Sequence, residues 1–291
     1  MLEVGYVGSH GLHMMRTQDV NQPLPNVGIA NKTLNANQLR PYLGYGVISN
    51  REQSYASKYN GFQAEINRRF SNGFMIKADY TWSKALDNTD CCSGNIYNYY
   101  PNSQNASIEW GRSSFDAEHN FIATYVYELP YRRDGKGPLG LVLGGWQVSG
   151  ITTIQTGLPV DVALGVDQAG VGNAARQRPQ VIGNPVLGRG DRTVSRWFDP
   201  TAFAVPAIGT FASTSRNFIS KPGTCNWDMS LYKTFALHES TTLQLRADAY
   251  NVWNHTEFDT VGLSYSTPSQ FGKVIAAKNP RSMMLGLRLQ F

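Results

Sequence analysis

A chain of 291 residues with 16% charged residues, 12% aromatics and 28 glycines is poorer in charge than the roughly 25% of ordinary soluble domains. That mix suits a wall with one face against lipid. The formal charge of +5 is spread along the chain with no block of like charges, which excludes a basic nucleic-acid-binding arm. No apolar run reaches the length of a membrane-crossing helix; the nearest, Leu139 to Val148, is broken by glycines.

The first residues, Met1 to Gly8, have no basic and apolar regions of a signal peptide and read as a strand already under way. The first strand is expected at Leu2 to Val7, running down to a short turn at Gly8 to Gly11, and a long connection from Asp19 to Ala56 follows. Tyr59 to Leu86 then reads as a hairpin around Ser71-Asn72-Gly73. Phe62, Ala64, Ile66 and Phe70 share one register, as do Phe74, Ile76, Ala78, Tyr80 and Trp82. The other register is polar, with Gln63, Glu65, Asn67 and Arg69 facing Lys77, Asp79, Thr81 and Ser83. A three-residue loop would set Phe70 opposite Phe74, so that apolar meets apolar along the ladder. A slip of one residue would turn one strand's apolar set to the polar side.

A third strand pair carries Phe121, Ala123, Tyr125, Tyr127 and Leu129 before a turn at Pro130 to Gly140, and Trp146, Val148, Gly150, Thr152 and Ile154 after it. Trp227, Met229, Leu231, Phe235 and Leu237 lead to a turn at His238-Glu239-Ser240, and Leu243, Leu245, Ala247 and Ala249 lead away. The polar register of this hairpin holds Asp228, Ser230, Tyr232 and Thr234 against Gln244, Arg246 and Asp248. The end alternates to its last residue: Met283, Leu285, Leu287, Leu289 and Phe291 on one register, Met284, Gly286, Arg288 and Gln290 on the other. Such two-faced strands of about ten residues define the fold class: all-β, an antiparallel transmembrane β-barrel segment of about nine spanning strands.

Arg68, Lys233 and Lys84 stand on the apolar register but away from mid-strand, where long side chains can keep their charge in the headgroups. Connections alternate between short turns and long stretches at Asp19 to Ala56, Asp87 to Ala117, Leu158 to Thr224 and His255 to Pro280. That is the pattern of short periplasmic turns and long outer loops, with Phe291 on the periplasmic side.

Chemistry-bearing motifs are sparse. His10, His13, His119, His238 and His255 have no metal-ligand spacing, and neither a nucleophile elbow nor a phosphate-binding loop is present. No enzyme activity, cofactor or metal is expected. Glu65 and Asp79, directly opposed, match a glycosidase pair less well than a charge ladder with Lys77 and Arg69. Arg189-Gly190-Asp191 matches an adhesion tripeptide that occurs often by chance, and Asn31, Asn105 and Asn254 begin sequons relevant only to a eukaryotic secretory route. Tyr97, Tyr99, Tyr100 and Trp110 could stack on a sugar or pack within their own loop, the second being favoured. Adjacent Cys91 and Cys92 and the distant Cys225 allow one bridge, from Cys225 to either partner.

The segments Gly5-Tyr6-Val7-Gly8-Ser9, Tyr59-Asn60-Gly61-Phe62-Gln63, Tyr80-Thr81-Trp82-Ser83-Lys84, Arg196-Trp197-Phe198-Asp199-Pro200-Thr201-Ala202-Phe203, Arg216-Asn217, Asn226-Trp227-Asp228-Met229-Ser230-Leu231-Tyr232-Lys233 and Arg246-Ala247-Asp248-Ala249-Tyr250-Asn251-Val252-Trp253-Asn254-His255 occur in this order. In order and spacing the chain resembles the C-terminal barrel of TonB-dependent outer-membrane receptors of the type with a carboxypeptidase-regulatory-like N-terminal domain, abundant in acidobacteria. The resemblance implies a 22-stranded barrel, an N-terminal plug, a TonB box and a location in the bacterial outer membrane. Residues 1–291 would then be the C-terminal portion of that barrel, with plug and signal peptide absent. It further implies outer-membrane lipid and the barrel-assembly machinery as partners, the TonB complex reached only through the N-terminal part, and a glycan, peptide or metal chelate as substrate. Gln63, Glu65, Arg69, Lys77, Asp79, Gln244, Arg246, Asp248 and Arg288 would line the wet interior, and Phe291 would be the assembly signal. A soluble secreted carbohydrate-binding or adhesin module, and a passive porin, are the alternatives. As an isolated chain the sheet is expected to stay open, its first strand being too short to seal against Met283 to Phe291.

Overall fold

Eight long antiparallel strands form a wall in the computed structural model, which describes residues 1–88, 100–130, 137–174, 176–238 and 241–291. They are β1 (Leu2–Asp19), β2 (Ser49–Ser71), β3 (Phe74–Asp87), β4 (His119–Glu128), β5 (Trp146–Gln155), β6 (Thr224–His238), β7 (Thr241–Tyr250) and β8 (Ser282–Gln290). Each pairs with its neighbour in sequence, and the two-residue strand Gly111–Arg112 joins the end of β3 as a ninth member. No ladder connects β1 to β8 among the described residues, so the sheet is open, with two free edges.

The alternation of residue types explains the ladder. Phe62 opposes Trp82, Phe121 opposes Ile154, and Leu245 opposes Leu287 on one face, while Gln63 opposes Thr81 and Ser230 opposes Asp248 on the other. The apolar face is bare, with Leu285 81% and Leu287 68% exposed. In water each such leucine would forgo the roughly 1.5–3 kcal/mol that burial supplies; in hydrocarbon it forgoes nothing.

Two expectations about β1 and the first hairpin are corrected. The turn at Gly8 to Gly11 does not form: the ladder continues, with Gly8 opposite Asn60 and Gly11 opposite Ser57, and bulges only between Gly11, Met14 and Arg16. Glycine is tolerated there because the Tyr6 ring covers it, a Cβ at Gly8 coming within 3.1 Å of Tyr6 Oη. The first strand is therefore one of 18 residues running toward the long connections, and it is not too short to seal. In the hairpin the expected register holds from Ser57–Asp87 to Arg68–Ile76, but Ser71, not Phe70, meets Phe74. Asn72 and Gly73 take φ of 54° and 78°, the two left-handed residues of a type I′ loop. Arg69 and Phe70 absorb the offset as a break in the ladder.

The short connections lie at the edge that holds Met1 and Phe291; the long ones, between β1 and β2, β3 and β4, β5 and β6, and β7 and β8, leave and rejoin the wall at the opposite edge, where their described residues gather. There they supply the apolar core that the sheet itself lacks. Phe198 packs edge-on against Phe203 and Phe271 with ring centroids 5.7 and 5.1 Å apart, beside Val162, Ile219 and Val261. Short ladders of Pro159–Val160 with Ile219–Ser220, Gln180–Val181 with Phe203–Ala204, and Phe258–Val261 with Val274–Ala277 brace this lobe.

Lys233 also differs from expectation. Its ammonium is buried, donating to the Gly144 carbonyl just after a helix at Gly137–Leu143, and lies 5.4 Å from the Trp146 ring and 4.9 Å from Phe235. Trp146 Nε1 donates to Val142 O at 2.9 Å. The helix ends on the wall, so the lysine finds its acceptor there rather than in the headgroups.

Candidate functional site

On the polar face of β2 and β3, Glu65 opposes Asp79 and Asn67 opposes Lys77. Lys77 Nζ lies 3.6 Å from Glu65 Oε1 and 3.9 Å from Asp79 Oδ1, so one ammonium bridges the two carboxylates as a charge ladder. Glu3 of β1 opposes Glu65 from the other side. On β6 and β7, Asp248 accepts from Ser230 Oγ at 2.5 Å and from Arg246 Nε at 2.8 Å, and the Arg246 guanidinium lies 5.2 Å over the Tyr232 ring. Gln244 opposes Thr234 and Arg288. The predicted polar residues thus form two patches on one face, Gln63, Glu65, Lys77 and Asp79 in one and Gln244, Arg246, Asp248 and Arg288 in the other. Arg69 stands apart, inside the ladder break. Phe291 follows β8 and is exposed.

Between those patches the same face carries exposed Ile122 and Ile151, set opposite Asp79 and Asp228. This face is mixed rather than uniformly wet, which the sequence registers did not single out.

Many of the motif residues turn out to fix architecture. Tyr6 Oη donates to Asn60 Oδ1 at 2.7 Å, joining the first two motifs. Asp228 Oδ1 accepts the Asn251 amide at 2.9 Å, and the Asn251 side chain clasps His255 through two bonds of 2.8 and 3.0 Å. Asn251 itself sits at φ 51°, the left-handed turn that asparagine tolerates. Arg216 pairs with Asp87 at the end of β3, and Asn217 Nδ2 donates to Arg112 O at 2.9 Å. Trp197 Nε1 donates to Ser220 O at 2.8 Å, and Asp199 caps the turn at Pro200–Ala202.

Buried charges tie the long loops to one another through Arg178 and to the wall through Asp116. Arg178 binds both oxygens of Glu109 at 3.1 and 2.5 Å, Asp161 Oδ2 at 3.1 Å and Thr214 O at 3.0 Å. Burial pushes the Asp161 carboxyl above its ordinary value against the pull of Arg178. Asp116 accepts from the Ala85 amide at 2.7 Å, from Lys84 at 2.9 Å and from Arg112 at 2.7 Å. Burial raises it, but these bonds together outweigh burial and hold it below the usual carboxylate value. Tyr100 is buried with the Arg16 guanidinium 4.1 Å over its ring, and burial pushes its phenol up to about 12. Tyr100 thus packs against the extension of β1 rather than within its own loop, while Trp110 is exposed; Tyr97 and Tyr99 lie outside the described residues. Cys225 is a free, exposed cysteine, and its expected partners Cys91 and Cys92 also lie outside them. Arg189-Gly190-Asp191 is a single 3-10 turn. Among the described residues no group of three or more His, Cys, Asp or Glu is placed to hold a metal.

A two-faced open sheet with short turns at one edge and folded loops at the other defines the class as an outer-membrane β-barrel wall. The family model for the outer membrane beta barrel domain matches residues 1–284, and the chain belongs to that family; its place is the bacterial outer membrane. No curated protein matches it. Among solved structures it is similar to the outer membrane transporter YddB from Escherichia coli, at 12% identity and a TM-score of 0.49, covering all of this chain and 30% of that one. The ferripyoverdine receptor of the Pseudomonas aeruginosa outer membrane follows at 14% identity, a TM-score of 0.46 and 25% of its length. The siderophore receptor PiuA from Acinetobacter baumannii has 11% identity, a TM-score of 0.41 and 28% of its length. The chain spans under a third of the length of each.

Proposed function

We propose that the chain is the C-terminal part of the barrel of a TonB-dependent receptor, in which the polar face lines the interior and the long loops capture substrate. The observation that carries this reading is the open sheet. Eight consecutive strands with two unpaired edges and one bare apolar face are stable in a bilayer only as an arc of a larger closed wall. Gln63, Glu65, Lys77 and Asp79, with Gln244, Arg246, Asp248 and Arg288, then face a plug and passing solute, and Arg69 sits at the rim near the short turn. Phe291, just after β8, serves as the assembly signal. The neighbours named for siderophores support a substrate class of metal chelates, alongside glycan fragments and peptides. The role is transport and binding, with no bond-making chemistry.

Uptake by cells producing the intact protein tests this. Labelled ferric chelates, oligosaccharides and peptides are offered in turn, with the TonB complex intact or inactivated. Accumulation of one class only while the complex works is the expected result. Uptake indifferent to energy would replace the receptor with a passive porin.

A further inference from the structure

Where the lobe overhangs the wall it encloses a groove of about 710 Å³. Its floor is part of the apolar register at the long-loop edge: Tyr80, His119, Ile154 and Cys225, with Tyr80 opposite Phe121 and Ile154 opposite both Phe121 and Cys225. Its roof is cationic, with Arg189, Arg192 and Lys221 beside Trp197. Arg112 adds a further cation and Glu118 is the one carboxylate residue of the lining.

The cations differ in how far they are already neutralised. Arg112 is bound to Asp116 at 2.7 Å, and Lys221 lies 3.6 Å from Asp259. Neither Arg189 nor Arg192 enters an ion pair among the described residues. Arg192 donates through Nε to Leu187 O at 2.9 Å and lies 5.3 Å over the Trp197 ring, which fixes the guanidinium and leaves its terminal nitrogens without a hydrogen-bond acceptor among the described residues. Burial, and then the charge of Arg189 three residues away, holds Arg192 below its ordinary value. Two arginines lining one groove without an ion-pair partner among the described residues, at the border between a hydrocarbon-facing surface and a polar lobe, call for an anion attached to something apolar.

We propose that this groove binds the phosphate group of a membrane lipid, with Arg189 and Arg192 gripping the phosphate, Lys221 at its side, and an acyl chain lying down the Tyr80–Ile154 face. Arginine forks suit the oxygens of a phosphate. The Tyr80, His119 and Trp197 rings give the interfacial aromatic surface on which such a headgroup rests. The inference rests on the barrel reading, because only a wall in a bilayer presents its apolar register to lipid.

The test uses the intact protein extracted from outer membranes in mild detergent, with folding checked by its migration on unboiled gels and its membrane by fractionation. Lipid retained after extensive washing is quantified by mass spectrometry, for wild type, for Arg189→Ala/Arg192→Ala, and for Arg189→Lys/Arg192→Lys. The folded alanine variant is expected to retain at least fivefold less phosphorylated lipid, and the lysine variant an intermediate amount. Equal retention in the folded alanine variant overturns the site. Competition separates the two sources of phosphate. Displacement by a short-chain phosphorylated lipid but not by 10-fold more inorganic phosphate supports the lipid, and equal displacement by both overturns it in favour of a free anion. Absence of the protein from outer membranes would refute the barrel reading itself, a result distinct from any of these.

Discussion

At the scale of single residues, buried charges join the long loops to one another and to the wall, and their behaviour follows from what surrounds them. Arg178 satisfies Glu109, Asp161 and a backbone carbonyl at once. Its removal leaves Glu109 buried without a counter-charge, a loss of about 3–5 kcal/mol. Arg178→Ala should therefore expose residues 156–223 to protease while leaving the wall folded, whereas Arg178→Met combined with Glu109→Gln should cost much less; equal sensitivity of both variants would refute the clamp. Asp116 gives a pH test. Its carboxyl is held below 3.8 by the Ala85 amide, Lys84 and Arg112, so it contributes stability above that value, lost as pH falls through the depressed folded value. The protection factors of residues 111–118, with the intrinsic pH dependence of amide exchange divided out, should be steady from neutral pH to the ordinary carboxylate value and fall below it, and Asp116→Asn should be weakly protected throughout. Protection that falls instead toward alkaline pH would contradict the assignment. None of these contacts is visible in sequence, because Arg178 and Glu109 are 69 residues apart in segments without periodicity. The polar registers were visible because a strand's period of two forces Glu65 opposite Asp79 once the pairing is fixed.

At the scale of elements, strand lengths separate what the bilayer needs from what the loops add. β4, β5 and β7 have 10 residues each and β8 has 9, close to the roughly 9–11 that span a membrane. β1 with 18 and β2 with 23 continue well past it, and their extension is where Arg16 pairs with Glu52 beneath Tyr100. In sequence Gly8 and Gly11 look like a turn that would end β1 early; in the structure the Tyr6 ring covers Gly8 and the strand continues. The hairpin at Asn72-Gly73 was located correctly but its loop was one residue too long; the left-handed preference of both residues decides it. Because all long connections lie at one edge, they should share one side of the membrane. Epitope tags inserted after Asn102 and after Gly190 are expected to bind antibody on intact cells, and a tag between Asn72 and Gly73 only after permeabilisation. The reverse pattern would invert the topology.

At the scale of the whole molecule, the question is what an arc of wall does without the rest. β1 and β8 form the two edges, and their lengths of 18 and 9 residues would allow pairing along all of β8. Length therefore does not forbid closure. Curvature does, because tilt and shear are set by the strands of the complete barrel, and eight strands bent tightly enough to meet would enclose an interior that side chains must fill. This polar face is not built for that: Glu3, Glu65 and Asp79 stand side by side across three strands, with Lys77 paired to Glu65 and Asp79. Driven together in a dry, narrow lumen these carboxylates would repel. Left open in hydrocarbon, each unpaired backbone group at the edges costs several kcal/mol. The isolated chain is accordingly expected to require detergent, to associate through its edges, and to give no uniform conductance in planar bilayers. Charge-neutral substitution by Glu65→Gln and Asp79→Asn would relieve the repulsion but leave the edges, so it should not restore a pore either. Reproducible single-channel steps from the unaltered chain would show that eight strands close alone, and the arc would then be a barrel in its own right.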